Sequence, residues 1–386
     1  MKTFYLPAIQ EQLNHDTILS DIIDTNEKDV SGKNATIQCH YGRNTGTGAR
    51  ADGGVMPTAG YQKFKTCTVP MKYNYGRVQF TGPTIAATRD AQGSYARVVD
   101  TEITGVVTDL KKEVNRQLWG AGYGTLARWQ SGATTSIVLQ NAYTGNSAGG
   151  NGFGSAFGAK YFEENSNGVA VVIASAGASG TATVDDTDLA VSAVSKASTG
   201  DTITCTDVGV TEAAGTFYVR GDANAQSLGT ITTSGGHRRE MMGLRGIVAD
   251  TDLDEIAVTS DAETTCGLAT ANNDSLQGLA VATYTWWKGL VSKHSSGRYA
   301  GQRTLTLMLM QQMFDAVEKK AGKDYGPNLI LTTRAIRREY LELCTADRRV
   351  VNTMTLDGGW TALDYNGIPL TVDDDAIDGE MYFLTS

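Results

Sequence analysis

Asp373, Asp374 and Asp375, with Asp378 and Glu380 just behind them, put five carboxylates close enough in sequence to hold a metal or move a proton. A calcium loop of the helix–loop–helix type needs oxygen ligands at its first, third and fifth positions, followed by Gly. Counting from Asp373 puts Ile377 at the fifth position, and counting from Asp374 puts Ala376 at the third. The pattern fails in both registers. Aspartate side chains also bond neighbouring amides and so favour turns. The stretch therefore reads as an acidic turn between two strands, "GIPLTVDDD" and "GEMYFL".

A second lure is "GNSAG", Gly145 to Gly149, which would make Ser147 a nucleophile with His237 and His294 downstream. That motif works on a sharp strand-to-helix turn. Here "GGNGFGSAFG" follows, and so many glycines do not sustain a helix. Gly120, Gly122 and Gly124 follow a helix rather than a strand, so they make no dinucleotide loop. His15, His40, His237 and His294 share no metal spacing. The expectation is no catalytic residue, no cofactor and no metal.

The elements fall in a definite order. "NATIQCHY", Asn34 to Tyr41, is a short strand, and "YQKFKTCTVPMKYNYGRVQF" alternates at Val69, Met71, Tyr73 and Tyr75. The polar, Gly-rich Gly42–Gly60 lies between them, so the pair predicts a protruding hairpin. A long helix follows over 96–119. Val98, Val99, Ile103, Val106, Val107, Leu110, Val114 and Leu118 form its apolar stripe, and Asp109, Lys111, Lys112, Glu113 and Arg116 lie outside it. From 145 to 240, "VAVVIA", "TATV", "LAVSAV", "GDTITCTDVGV" and "GTFYVRG" predict a small all-β barrel or sandwich. Beyond 300 come a helix with Leu305, Leu309, Met313 and Val317 inward, and the buried strand "GPNLILTT". A helix capped by Thr333 follows, with Ile336, Tyr340, Leu343 and Cys344 as its stripe. Trp286 and Trp287 read as packing at a domain junction.

The 386 residues suffice for two or three domains. Lys plus Arg is 33 and Asp plus Glu is 42, a net charge of −9 that makes a poor general nucleic-acid binder. Five scattered cysteines, Cys39, Cys67, Cys205, Cys266 and Cys344, form no CxxC pair and suggest a reducing compartment. No apolar run reaches the roughly 18 residues that span a membrane, and the first residues lack a secretory core. A secreted β-rich adhesin and a Ser147 hydrolase are thereby disfavoured.

This order resembles the major capsid protein of tailed bacteriophages, the fold named after a Hong Kong phage. "KYNYGRVQFTGPTIAATRD", "QLWGAGYGTLARW", "NLILTTRAIRREYLELC" and "DGGWTALDYNGIPLTVDDDAIDGEMYFL" carry the resemblance. It implies an α+β chain with an N-terminal arm at 1–34 and an extended loop at 35–76. A peripheral domain follows at 77–144, with spine helix 96–119. An inserted β domain occupies 145–240, a connection 241–299 and an axial domain 300–386. It further implies hexamers and pentamers of this chain in an icosahedral shell around double-stranded DNA. Assembly would be in the host cytoplasm, and the chain would end in the virion. Partners would be a separate scaffolding protein, a portal and a decoration protein, with only weak contact to packaged DNA. Family members return from the axial domain to add strands to the peripheral domain; here the sequence stops at Ser386, so either it is truncated or those strands are absent. The hairpin would clasp a neighbouring subunit, with Arg43, Arg50, Asp52, Lys63, Lys65 and Arg77 as intersubunit contacts. An encapsulin-like nanocompartment shell shares the fold and is the alternative.

Overall fold

In a computed structural model, the described residues are 18–23, 30–31, 33–79, 82, 92–120, 125–133, 136–141, 162, 171–176, 182–184, 191–195, 201–205, 217–220, 240–248, 275–280, 283–287, 289–292, 304–346, 353–355, 361–376 and 379–385. The helices are α1 (Ile18–Ile22), α2 (Gln92–Trp119), α3 (Leu244–Ile247), α4 (Leu307–Ala321) and α5 (Arg334–Ala346). The strands are β1 (Val30–Ser31), β2 (Asn34–Gly42), β3 (Lys63–Pro70), β4 (Thr125–Ala133), β5 (Ser136–Asn141), β6 (Val171–Ala176), β7 (Ala182–Val184), β8 (Val191–Ser195), β9 (Asp201–Cys205), β10 (Phe217–Arg220), β11 (Ser275–Leu276), β12 (Leu279–Ala280), β13 (Leu329–Thr332), β14 (Thr353–Thr355), β15 (Thr361–Tyr365), β16 (Ile368–Val372) and β17 (Met381–Leu384). The chain is α+β and divides into two compact units. One comprises Met1–Ile23, Asn74–Trp119 and Leu305–Ser386, the other Asp24–Tyr73 and Gly120–Thr304.

The first unit is built on a five-stranded sheet of order β14-β15-β16-β13-β17. β13 reads LILT and is buried at every position. A short run of apolar residues without alternation marks a strand covered on both faces. β15 and β16 form a hairpin through Asn366 and Gly367, whose φ values of 54° and 78° give the turn that matches strand twist. β16 and β17 flank the acidic turn as the sequence predicts, but they do not pair with each other. β13 lies between them, parallel to β16 and antiparallel to β17.

Met310, Ile330, Tyr340, Cys344, Tyr365, Ile368 and Leu370 form the core of this unit. On α5, Ile336, Tyr340 and Cys344 are buried as their spacing predicts, with Leu343 half-buried. Leu305, just before α4, packs against the core as expected; on the helix itself Met310 is buried, with half-buried Leu307 and Phe314 on the core where Leu309, Met313 and Val317 were expected. The helix starts at a Thr306 cap, whose hydroxyl accepts the Leu309 N–H at 3.1 Å, and this fixes the rotation. Thr333 does not play the capping part expected of it. Its carbonyl accepts the Arg337 N–H at 3.1 Å, but its buried hydroxyl has no partner among the described residues.

The long helix α2 exists as predicted, but its faces differ from the predicted stripe. Ile103 and Val107 are 49% and 50% exposed, whereas Asn115, Arg116, Gln117 and Trp119 are buried. Val98 and Val99 have side chains outside the described residues. A periodicity argument assumes one environment along the whole helix. Here the last turn is enclosed on all sides and the middle is open. The buried polar groups satisfy one another. Arg116 donates to both Glu113 carboxylate oxygens at 3.2 and 2.6 Å, so this pair does not belong to a solvated face. Gln117 and Asn74 exchange amide hydrogen bonds at 3.2 and 3.3 Å. Gly76 passes so near α2 that a Cβ there would lie 2.8 Å from Val106 Cγ1.

The second unit holds a three-stranded sheet, β1-β2-β3, and a seven-stranded antiparallel one, β7-β6-β10-β4-β5-β9-β8. β2 and β3 pair from Asn34↔Pro70 to Gly42↔Lys63, which makes the expected hairpin. β3 ends at Pro70, which lacks an N–H for further pairing. Met71, Tyr73 and Tyr75 beyond it are exposed, so the alternation there marks no buried face. The strands β6 to β10 coincide with the five runs read between 145 and 240. Their sheet is wider than that span, because β4 and β5, from 125–141, occupy its middle. Among the described residues it is an open sheet with edges β7 and β8, not a closed barrel. Ser147, His15, His237 and His294 lie outside the described residues.

A fragment of residues 145–240 will fail to give a cooperative melt by circular dichroism, because excision removes the strands between β10 and β9. A fragment of 120–240 will recover one. Within the first unit, Met310→Ala will lower unfolding stability by about 2–5 kcal/mol in denaturant titration. Val107→Asp, half-exposed, will lower it by under about 1 kcal/mol.

Candidate assembly surface

The extended loop of the second unit, residues 43–62, is held by bonds to itself. Asn44 Oδ1 accepts the Gly46 N–H at 2.6 Å, and the Gly54 N–H donates to the Ala51 carbonyl at 2.9 Å. Arg50 reaches back along the loop, its Nε donating to the Val55 carbonyl at 3.2 Å and its guanidinium to the Ala49 carbonyl at 3.1 Å. At the loop's root the His40 ring and the Gln62 side chain are 2.8 Å apart. Apolar side chains face water in and beside this loop. Val55 is 88% exposed, Met56 82% and Tyr61 87%. Isolated apolar residues on a surface are ordinary, so it is the adjacency of the exposed Val55 and Met56 that makes the loop a candidate contact site.

The hairpin's base is rigidly backed. The Tyr41 and Trp286 rings stack with centroids 5.3 Å apart and planes 4° from parallel, and Trp287 meets Trp286 edge-on at 5.7 Å. Trp286 and Trp287 are thus packed within one unit. The Thr68 N–H donates to the Gln277 carbonyl at 2.8 Å, which ties β3 to the β11–β12 hairpin.

The six charged residues expected to face a neighbour are divided between the two units. Arg43, Arg50 and Asp52 lie exposed in the loop, and Lys63 lies exposed at the start of β3. Lys65 is turned over the Tyr284 ring, its ammonium 5.2 Å from the centroid. Arg77, in the other unit, donates to Gln79 Oε1 at 3.2 Å. The apolar tip residues Val55 and Met56 escaped a reading that looked for charge. Their signal was an apolar pair inside a polar Gly-rich run.

In the first unit the acidic turn is an anchor. Asp373 is 1% exposed. Its carboxylate accepts the Leu19 N–H at 3.0 Å and the Asp375 N–H at 2.7 Å. Asn115 Nδ2 donates to both Asp373 oxygens at 3.3 Å and to Asp375 Oδ2 at 2.6 Å, while Asn115 Oδ1 accepts the Ser20 N–H at 3.2 Å. Asp374, at the outer corner, takes two bonds from Arg334 at 2.7 and 2.9 Å. Among the described residues no group of three or more His, Cys, Asp or Glu could hold a metal ion. None of the helices there is long and apolar enough to cross a membrane.

No family model matches the sequence, and no curated protein matches it either. A solved structure does: the Cyanophage A-1(L) capsid asymmetric unit, at a TM-score of 0.51 and 14% identity, covering 100% of this chain and 75% of that one. The fold is phage-capsid-like. Within this capsid-like chain the β2–β3 hairpin is the element that projects apolar side chains on a backed base. The acidic turn is the element that fastens α1 and α2 to the sheet of the first unit.

Burial raises the pKa of Asp373, and the nearby Asp375 charge adds to it, against the pull of the Asp375 and Leu19 N–H groups. A carboxyl whose folded pKa exceeds its unfolded value holds its proton more tightly when folded. Its stabilising contribution is full below the unfolded pKa of about 3.9 and is lost as pH rises through the folded value. Asp373→Asn turns an amide N–H toward donors and will cost about 1–3 kcal/mol. The gap in unfolding midpoint between wild type and this variant will widen in wild type's favour as pH falls from 7 toward 4, read by thermal melts.

Proposed function

We propose that this chain is the major capsid protein of a tailed phage. It assembles as hexamers and pentamers into an icosahedral shell around double-stranded DNA. The capsid-like fold over the full length of the chain carries this reading. The reading assigns 1–34 as arm, 35–76 as extended loop, 77–144 as peripheral domain, 145–240 as insertion, 241–299 as connection and 300–386 as axial domain, with β4 and β5 of 125–141 completing the sheet of the insertion. The intersubunit contact is the loop tip. The exposed apolar pair Val55–Met56 buries against a neighbouring copy, with Arg43, Asp52 and Lys63 exposed elsewhere on the loop and at its root. A net charge of −9 suits a shell lining that must release DNA rather than grip it. A scaffolding protein and a portal are the expected assembly partners, with a decoration protein on the outer surface. The product is a virion.

Co-expression with the neighbouring genes, followed by negative-stain microscopy, tests the reading. Closed shells that package DNA support it. Shells filled with a protein cargo would instead mean a nanocompartment, and absence of any assembly would refute both. Met56→Asp will leave the melting curve of the free chain unchanged and will abolish shells. Amide exchange at 50–58 will slow on assembly in the wild type. Normal shells from Met56→Asp would remove the tip as the clasp.

A further inference from the structure

The β2–β3 ladder places two thiols against each other. Ile37 lies opposite Cys67 and Cys39 opposite Lys65, so Cys39 and Cys67 are diagonal neighbours on one face of the hairpin. Their Sγ atoms are 3.3 Å apart, and both are free thiols. A disulfide bond is about 2.05 Å long and tolerates Cα separations up to about 7 Å. Closing the bond brings the two sulfurs from 3.3 Å to about 2.05 Å. The backbone is held ready: the Thr68 N–H is tied to Gln277, and Tyr41 is stacked on Trp286. Just past Cys39 the register shifts between His40 and Gly42, where the strand leaves for the loop. The pair therefore lies just inside the His40–Phe64 rung, the last before that shift.

We propose that Cys39 and Cys67 are a disulfide-forming pair, a modification site that closes the base of the extended loop when the chain meets a small-molecule disulfide. Cys39 is partly open and Cys67 is buried, which sets the order of events. The Cys39 thiolate attacks one sulfur of oxidised glutathione. A Cys39–glutathione bond forms, the glutathione S–S bond breaks, and one glutathione leaves and takes up a proton. Cys67 gives its proton to solvent and attacks Cys39 Sγ, which expels the second glutathione. Two protein thiols are oxidised to one disulfide, and one glutathione disulfide is reduced to two thiols. Burial, with Cys39 beside it, pushes the Cys67 thiol up to about 11, so the second step quickens as pH rises. Closure pins the register of β2 on β3 and bounds the loop covalently. This holds for the free chain, whether or not it builds a shell.

The full chain is incubated with oxidised glutathione at pH 7 and pH 9, quenched, digested and mapped by mass. The expected product is a Cys39–Cys67 linked peptide, formed at least about tenfold faster at pH 9. Cys67→Ser will stop at the Cys39–glutathione adduct, and Cys39→Ser will give no linked peptide. Wild type that stays glutathionylated at Cys39, or that links Cys39 to a different cysteine, overturns the proposal.

Discussion

Asp373 collects donors from three segments that the sequence keeps far apart: the Leu19 backbone of α1, the Asn115 amide of α2, and the Asp375 backbone of its own turn. A buried carboxylate left without such partners costs several kcal/mol, so each donor is needed for the others to be buried at all. This explains an oddity of α2. Its buried last turn carries Asn115 where a helix in an ordinary core would carry leucine. The neighbouring Arg334–Asp374 pair is of another kind. Arg334 is 62% exposed, so the bond orients the start of α5 more than it stabilises the fold.

The parts legible from sequence were those whose signal is local. The runs that became β6 to β10 alternate over a few residues between turn residues, and the 336, 340, 344 spacing of α5 is one face of a helix. The buried LILT strand was equally plain. The acidic stretch was read correctly as a turn, because aspartates bond nearby amides. Its depth was invisible, because the partners Leu19 and Asn115 lie 354 and 258 residues away. The same limit hid the cysteines. Neither spacing nor composition brings Cys39 to Cys67, and only the pairing register does. The sheet's width was misjudged because β4 and β5 are separated in sequence from strands they later pair with.

The apolar residues that a single chain leaves uncovered form the complement of this picture. Ile103 and Val107 stand four residues apart on one side of α2, and Val55 and Met56 stand at the loop tip. Both sets fit the proposed shell, where burial against other copies supplies what the isolated chain cannot. At about 25 cal/mol per Å² of apolar surface, covering such side chains contributes a few kcal/mol per subunit. In a closed shell that modest figure recurs at every contact.

Association loses much of its energy to ordering the groups that meet. A polar, Gly-rich loop has little apolar surface with which to order itself. Its bonding argues for a different division of labour. Asn44, Arg50 and the Ala51–Gly54 turn shape the tip from within, while Tyr41, Trp286 and Gln277 hold the base. Arg50 places two of its five N–H donors on the Ala49 and Val55 carbonyls, which helps to shape the backbone on which the exposed Val55 and Met56 stand. A tip shaped in advance gives up less freedom on docking, so a small apolar contact can suffice. On this view the charges of the hairpin position the clasp, and the apolar pair provides its grip.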